Sequence, residues 1–337
     1  MKKYISSIDY YKFICAIMVV FLHTVNITDL HGIYNNIKIF LYHFTWCINP
    51  VEFFFCTSVY FLFKNGLDDI KFIGYIKRLI VLYIFWSIIY LPFIMIECFE
   101  TNGFIYGFLK LLRRVLILGT SGHLWYVIAL IYGLVIMYPL IKENRIKIAW
   151  GISVICYGIV VIGEAYHNVF TNLPLFYIFK ISTLLQTILG SLYLFRAPLF
   201  IMIGYSLANL QKYPKIKMNK CLITWGLIAL LCNFELYIIL KYRLGGGSAT
   251  LIKPFAVITF FVMSINSTNI NPHVSKILGK CSSVIYFSHI LIRNLLMLFI
   301  ENPYVCWLLT VFFGIIITLI FERLKPLKKF NWLKNIY

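Results

Sequence analysis

Apolar residues run along this chain in long unbroken stretches separated by short polar clusters, with no two-residue alternation. A helix that crosses a bilayer needs roughly 20 consecutive apolar residues, whereas strands of an outer-membrane barrel alternate over about ten. The stretches here are of the first kind. They place spans at residues 8–27, 39–63, 73–96, 123–141, 147–163, 196–210, 221–240, 251–267, 281–300 and 303–322. The expected fold is therefore all-α: a polytopic membrane protein of about ten transmembrane helices, one integral membrane domain over 1–337 that leaves no length for a separate soluble domain. Two further segments are apolar but charged. Residues 104–118 carry Lys110, Arg113 and Arg114, and 168–195 carry Lys180 and Gln186, so both read as interfacial or re-entrant helices.

Composition supports this class. Of 337 residues 61% are hydrophobic and 13% charged, with a mean hydropathy of +0.85. Against 31 Lys and Arg stand 12 Asp and Glu, a net charge of +19 that in a soluble protein would point to nucleic acid. Here the cations sort by loop. With a cytoplasmic amino terminus, twenty fall on inner segments, nine on outer ones, and Lys12 and Arg293 inside spans. That bias puts both termini in the cytoplasm and removes the case for nucleic-acid binding. Met1-Lys2-Lys3 and the run Phe13 to Leu22 have the shape of a secretory signal, yet Thr24 to Leu30 offers no small-residue cleavage site, so the run stays as the first span. The nine cysteines form no Cys-x-x-Cys pair and read as buried thiols. No His or carboxylate cluster has metal spacing, so no metal is expected. Gly245-Gly246-Gly247, with no Lys-Ser after it, is a loop and not a phosphate cradle.

An ionisable side chain within a span costs about 2.5–3.5 kcal/mol at mid-membrane, which makes each one a candidate site. The first span holds Asp9, Lys12 and His23. Lys12 and His23 are eleven residues apart, within about 20° of one helix face and about 16 Å along the axis. Lys12 lies where snorkelling alone would account for it, while His23 follows ten apolar residues and is placed well inside the membrane. The second span holds His43, Asn49, Pro50 and Glu52. Counted from the cytoplasmic ends, His23 lies at about 22 Å and Glu52 at about 16 Å, so the two can be neighbours, with Glu52 orienting His23 and raising its basicity. The alternatives are a hydrogen-bonded structural histidine and a neutral Glu52 that serves backbone groups freed by Pro50. Arg293, inside the ninth span, needs a partner that Glu301 is too distant to supply.

These residues resemble the acyltransferase-3 family of integral membrane acyltransferases, which includes O-acetyltransferases of bacterial surface polysaccharides. The likeness runs from about Ile8 to Leu324. Asp9-Tyr10-Tyr11-Lys12 followed by His23 is similar to the family's Asp-x-x-Arg and His at the same spacing, with Lys for Arg. Val51-Glu52-Phe53-Phe54-Phe55-Cys56-Thr57-Ser58-Val59 is similar to its Val-Asp-x-Phe-Phe-x-x-Ser-Gly. His123-Leu124-Trp125-Tyr126, Arg196-Ala197-Pro198-Leu199-Phe200 and Ser283 to His289 match further landmarks. Tyr75-Ile76-Lys77-Arg78 keeps only the second Arg of the family's Arg-x-x-Arg, and Lys77 supplies a point charge where a bidentate fork would stand.

The resemblance implies transfer of a short acyl group, most simply acetyl, from acyl-CoA to a hydroxyl of a surface polysaccharide or its lipid-linked precursor. The enzyme would sit in the bacterial cytoplasmic membrane, with acyl-CoA as a donor substrate and no permanently bound cofactor. His23 would act as general base with Glu52, Asp9 and Lys12; Lys12, Lys77 and Arg78 would hold the donor's phosphates. Trp125, His123, Arg196, Arg113, Tyr286 and His289 would contact substrate, or serve as interfacial anchors and polar contacts between helices. Two other readings fit ten helices with intramembrane charge: a polysaccharide or small-molecule transporter or flippase, and a non-catalytic scaffold in which His23 is dispensable.

Overall fold

A computed structural model describes residues 5–25, 35–100, 103–170, 176–189, 191–210, 216–246, 249–267 and 271–327. Lys2, Lys3, Lys212, Lys215, Lys328, Lys329 and Lys334, counted above on inner segments, lie outside them. The described residues form helices only: α1 (Ser6–Thr24), α2 (Asn35–Ile48), α3 (Pro50–Phe63), α4 (Asp69–Phe99), α5 (Phe104–Arg113), a π-helical turn (Arg114–Leu118), α6 (Trp125–Lys142), α7 (Ile146–Gly163), α8 (His167–Phe170), α9 (Phe176–Leu189), α10 (Tyr193–Asn209), α11 (Met218–Lys241), α12 (Lys253–Asn266), α13 (Pro272–Leu296) and α14 (Pro303–Leu324).

Short polar side chains set several of the starts. Asp68 caps α4 by accepting from the amides of Ile70 and Lys71, Asn271 caps α13 through His273 and Val274, and Asn302 caps α14 through Tyr304 and Val305. Pro272 and Pro303 follow their caps in the first turn, where proline's missing amide costs nothing. The second expected span is divided. Asn49 has φ of 45°, a left-handed conformation that Asn tolerates, and Pro50 restarts the helix, so 39–63 becomes α2 and α3.

Among the described residues seven helical segments are long and apolar enough to cross a membrane: α1, α2 with α3, α4, α6, α7, α11 and α14. Residues 180–189 of α9 and helix α10, bent by 106° at their junction, make an eighth if they count as one span. All ten expected spans have a helix in place, but α12 is only 14 residues long and α13 carries Lys276, Lys280 and Arg293. The charged segment 104–118 forms α5 and the π-turn. Phe104, Ile105, Tyr106, Phe108 and Leu109 are exposed there, while Lys110 and Arg114 turn to Glu97, as an interfacial helix would arrange them.

The chain divides into two compact units, 1–54 with 214–233 and 255–337, and 55–213 with 234–254. In the first, α1 and α13 run parallel. Ser275 donates to the Ser6 carbonyl, Asp9 lies on Gly279, and His23 lies on His289. Gly279 is required there, because a Cβ would come 2.6 Å from the Asp9 carboxyl carbon. Helix α14 runs opposite to α13, with Cys306 beside Arg293 and Glu322 bonded to Lys280, and its Trp307 indole donates to the Ile17 carbonyl at 3.0 Å. Helix α12 meets α1 through Tyr11, whose ring packs on Phe260 and whose hydroxyl bonds Ser267 at 2.8 Å. The Ile216 amide, just before α11, donates to Asn266 at the end of α12. The starts of α1, α11 and α13 and the ends of α12 and α14 thus share one end of this unit.

In the second unit α6 is central. Tyr126 bonds Ser58 of α3 at 2.9 Å, and at the helix's far end Tyr138 and Lys142 both donate to Asp69 at the start of α4, each at 2.5 Å. Ser153 of α7 donates to the Pro198 carbonyl of α10 at 3.2 Å, and Cys56 to that of Phe200 at 3.3 Å.

Candidate functional site

The first unit brings His23 and His289 together. His23 stands in the last turn of α1, which ends at Thr24 because Val25 is extended. This corrects the sequence reading, which carried the span to residue 27 and set His23 well inside it. The last carbonyls of a helix have no intrahelical partner. That of His23 accepts from Arg293 Nη1 at 2.5 Å, and the same guanidinium holds Asn294 Oδ1 through Nε at 3.0 Å and Nη2 at 2.6 Å. The partner that Arg293 needs is therefore the end of α1, where the carbonyl dipoles favour a cation.

His289 precedes Arg293 by one helical turn and is fully buried. Its ring lies 5.1 Å from that of His23, centroid to centroid, tilted by 39°. Nδ1 of His289 is 2.7 Å from the Tyr286 carbonyl oxygen. A carbonyl can only accept, so Nδ1 carries the hydrogen, and in the neutral ring Nε2 holds the basic lone pair. Tyr286, buried, packs edge-on against Phe54 at 5.4 Å. Glu52 is buried in the first turn of α3. Asp9 pairs with Lys12 at 3.2 Å, so the Lys12 ammonium already has a counter-ion.

The second unit holds the other candidates at two places. Lys77 and Arg78 are exposed two turns into α4, beside Tyr75. Further along α4, about 18 Å beyond Arg78, Tyr90 meets His123 edge-on at 5.2 Å, and Ser121 Oγ lies 3.2 Å from His123 Nδ1. Trp125 and Tyr193 stack at 4.6 Å. The Arg196 guanidinium is 5.7 Å from each of those rings and bonds Glu164 at 2.7 Å. Arg113 donates to the Leu189 carbonyl at 3.2 Å. Sequence reasoning named Arg196 and Trp125 but missed Glu164 and Tyr193; an acid directly after the apolar run of α7 was the available signal. Among the described residues no three His, Cys, Asp or Glu side chains stand close enough to hold a metal ion.

The helix that offers His23 with Asp9 and Lys12, and the later helix that sets His289 against it, belong to a stretch that matches one family model almost end to end. That model, described as an acyltransferase domain, covers residues 5–322. The chain belongs to the acyltransferase-3 family. Family and apolar helices together mark it as a multi-pass membrane protein of that family. Two proteins of Enterococcus faecalis, each named amino-acid racemase, are similar to it. One is 28% identical over 203 residues, 59% of this chain and 27% of the relative; the other is 23% identical over 279 residues, 79% and 38%. The chain therefore spans less than two fifths of the length of these relatives. No solved structure matches.

Proposed function

We propose that this acyltransferase moves a short acyl group, most simply acetyl, from acyl-CoA to a hydroxyl of a cell-surface polysaccharide or its lipid-linked precursor, with His23 as general base. The observation that carries this reading is the imidazole of His23 held at the end of a spanning helix, its carbonyl fixed by Arg293 and its ring against His289. A hydroxyl attacks a thioester poorly until a base takes its proton, and a neutral imidazole is suited to that near pH 7. As the new C–O bond forms and the C–S bond breaks, the proton of the hydroxyl ends on the departing thiolate.

Lys12, Lys77 and Arg78 are assigned to the coenzyme's phosphates on the cytoplasmic side. About 16 Å of α1 between Lys12 and His23 matches an extended pantetheine arm. Lys12 already pairs with Asp9 at 3.2 Å, and Lys77 and Arg78 are exposed on α4. Trp125, Tyr193 and Arg196 offer the stacked aromatic faces and buried cation that suit a sugar ring, with His123 and Arg113 nearby in the chain. In this reading ten helices cross the bacterial cytoplasmic membrane and both termini face the cytoplasm.

Mass spectrometry of the envelope polysaccharide tests it, in cells that carry the intact chain, His23→Ala, or neither, at membrane levels matched by immunoblot. Acyl groups present only with the intact chain are expected. Unchanged acylation in His23→Ala removes the base; the absence of any protein-dependent acylation removes the acceptor and favours transport.

A further inference from the structure

We infer that Glu235 is a positioning residue for acceptor binding: its carboxylate ties the segment after α11 to the turn after α7 and, through Glu164, sets the Arg196 guanidinium beside the Trp125 and Tyr193 rings. The inference rests on the sugar-binding role given to Trp125, Tyr193 and Arg196 above and names what holds them in place. Glu235 lies in the last two turns of α11 and is buried. Three donors fill its carboxylate. The Tyr166 hydroxyl and the Leu251 amide reach Oε1, each at 2.7 Å, and the Ile252 amide reaches Oε2 at 2.9 Å. Hydrogen bonds to a carboxylate are about twice as strong as neutral ones, so this one side chain joins two stretches of backbone that are distant in the chain.

Tyr166 stands two residues after Glu164, in the turn that the Val160 and Val161 carbonyls wind onto the end of α7. The Gly246 amide donates to the Glu164 carbonyl at 2.8 Å, and Asn168 donates to the Leu244 carbonyl through its amide and to the Arg243 carbonyl through Nδ2, each at 2.7 Å. Only glycine permits so close an approach: a Cβ on Gly245 would come 2.3 Å from the Glu164 carbonyl oxygen and 2.8 Å from that of Ala165. Two turns before Glu164 on α7, the Tyr157 hydroxyl donates to the Thr250 carbonyl at 2.8 Å, while its ring packs edge-on at 5.6 Å against Phe200, one turn after Arg196 on α10. The segment after α11 is thus seated on the seam of α7 and α10 that carries the ion pair. Glu164, with its peptide held there, meets Arg196 Nη2 at 2.7 Å, and the guanidinium stands 5.7 Å from the Trp125 and Tyr193 rings. Weakening the Glu235 joint loosens the backbone that carries Glu164 and, with it, the guanidinium against which a sugar would pack. Lys77 and Arg78, assigned to the donor, stand on α4 outside this joint.

The test uses the full chain in membranes, labelled acetyl-CoA as donor and alkali-de-esterified envelope polysaccharide as acceptor, with protein levels matched. Glu235→Gln keeps an oxygen for Tyr166 and Leu251 but sets an amide against the Ile252 N–H. Tyr166→Phe removes only the bond to the turn, and Gly245→Ala pushes the segment off the Glu164 carbonyl. Each is expected to raise KM for the polysaccharide at least about fivefold, with KM for acetyl-CoA within about twofold of the intact chain. Polysaccharide KM values within about twofold of the intact chain in both Glu235→Gln and Tyr166→Phe overturn the inference. So does an equal rise in both KM values, or a fall in kcat alone, since a joint that served folding only would not single out the acceptor. If Glu235→Gln fails to accumulate, Tyr166→Phe decides, because it leaves both backbone bonds of the carboxylate in place. Arg196→Lys in the same assay separates the two ideas. An unchanged polysaccharide KM there, or no transfer by the intact chain, removes the sugar-site reading and the inference with it; a raised one beside unchanged Glu235→Gln and Tyr166→Phe removes only the inference.

Discussion

Arg196 and Glu164 form the most deeply buried ion pair with both partners described, 2.7 Å apart with side chains 7% and 14% exposed. Their two deletions should differ in cost. An arginine cannot shed its charge, so Glu164→Leu takes a bonded carboxylate from a buried guanidinium and should cost about 3–5 kcal/mol. A carboxyl can take up a proton, which limits the penalty of Arg196→Met to about 2–3 kcal/mol, plus about 0.5–2 for the lost contacts with the Trp125 and Tyr193 rings. The double variant replaces both charges by apolar groups and should be more stable than Glu164→Leu alone by at least about 2 kcal/mol. Reversible unfolding in SDS mixed micelles measures all four corners of the cycle. Single effects below about 1 kcal/mol that simply add would show that the pair is not desolvated and refute the reasoning. Activity adds a second result: a double variant that is stable but fails to acylate glycan assigns Arg196 to the acceptor as well as to the fold.

Three other substitutions have opposite or pH-dependent signs. A Cβ at Gly204 would lie 2.6 Å from the Cys56 carbonyl oxygen and 3.0 Å from its Cα, so Gly204→Ala should destabilise by about 1–3 kcal/mol in the same titration, while Gly151→Ala, with nothing within 4 Å, should stabilise by about 0.5–1. Tyr166, in the connection after α7, donates to Glu235 Oε1 at 2.7 Å, and burial first, then that carboxylate, push its phenol above the ordinary tyrosine value. A raised folded pKa gives stability that is full below the unfolded pKa and lost as pH climbs through the folded one. The advantage of the intact chain over Tyr166→Phe should therefore be constant from pH 6 to 9 and fall only above about 10 in pH-dependent unfolding.

The helices were legible because each apolar run is long and bounded by Asn, Asp, Gly or Pro, and the interfacial character of 104–118 because its cations interrupt an apolar run. Asn49 was the limit of that reading: an apolar count passes straight through a residue whose φ of 45° ends one helix, and only Asn-Pro in the sequence hints at it. His23, Asp9 and Lys12 were visible as charges in an apolar helix. What lies against them was not, because His289 is 266 positions further along the chain and nothing local joins the two. Spacing along one helix identifies a face; the partner of that face depends on which helices pack together. Arg293 shows the same gap, since its partner is a backbone carbonyl, which no side-chain pattern reveals.

Helix direction bears on the number of crossings more firmly than apolar length does. In the first unit α2 runs opposite to α11, with Cys47 beside Ala229 and His43 bonded to Asn233 at 2.5 Å. Between the α2–α3 span and α11 the chain contains α4, α6, α7 and α10. Spans that run in opposite directions must be separated by an even number of crossings, so in the proposed topology α10 crosses with the other three. Helices α11 and α13 both start at the end where α1 starts, which requires α12 to return the chain despite its 14 residues; α14 then returns it again, antiparallel to α13. The proposed count of ten satisfies every direction, with α1 starting and α14 ending on one side, and the cations Lys276, Lys280, Arg323 and Lys325 lie at that end, the side that the proposed topology assigns to the cytoplasm. Cysteines placed singly at Asn144, Arg243 and Asn302 test this against an impermeant maleimide, with Cys156 as the only native thiol among the nine that is not buried. Arg243→Cys and Asn302→Cys should label in intact cells and Asn144→Cys only after lysis. Labelling of Asn144→Cys and Asn302→Cys from the same side would mean that one of α10, α12 and α13 turns back within the bilayer, and a chain with that topology could not bring α1 and α13 together in parallel.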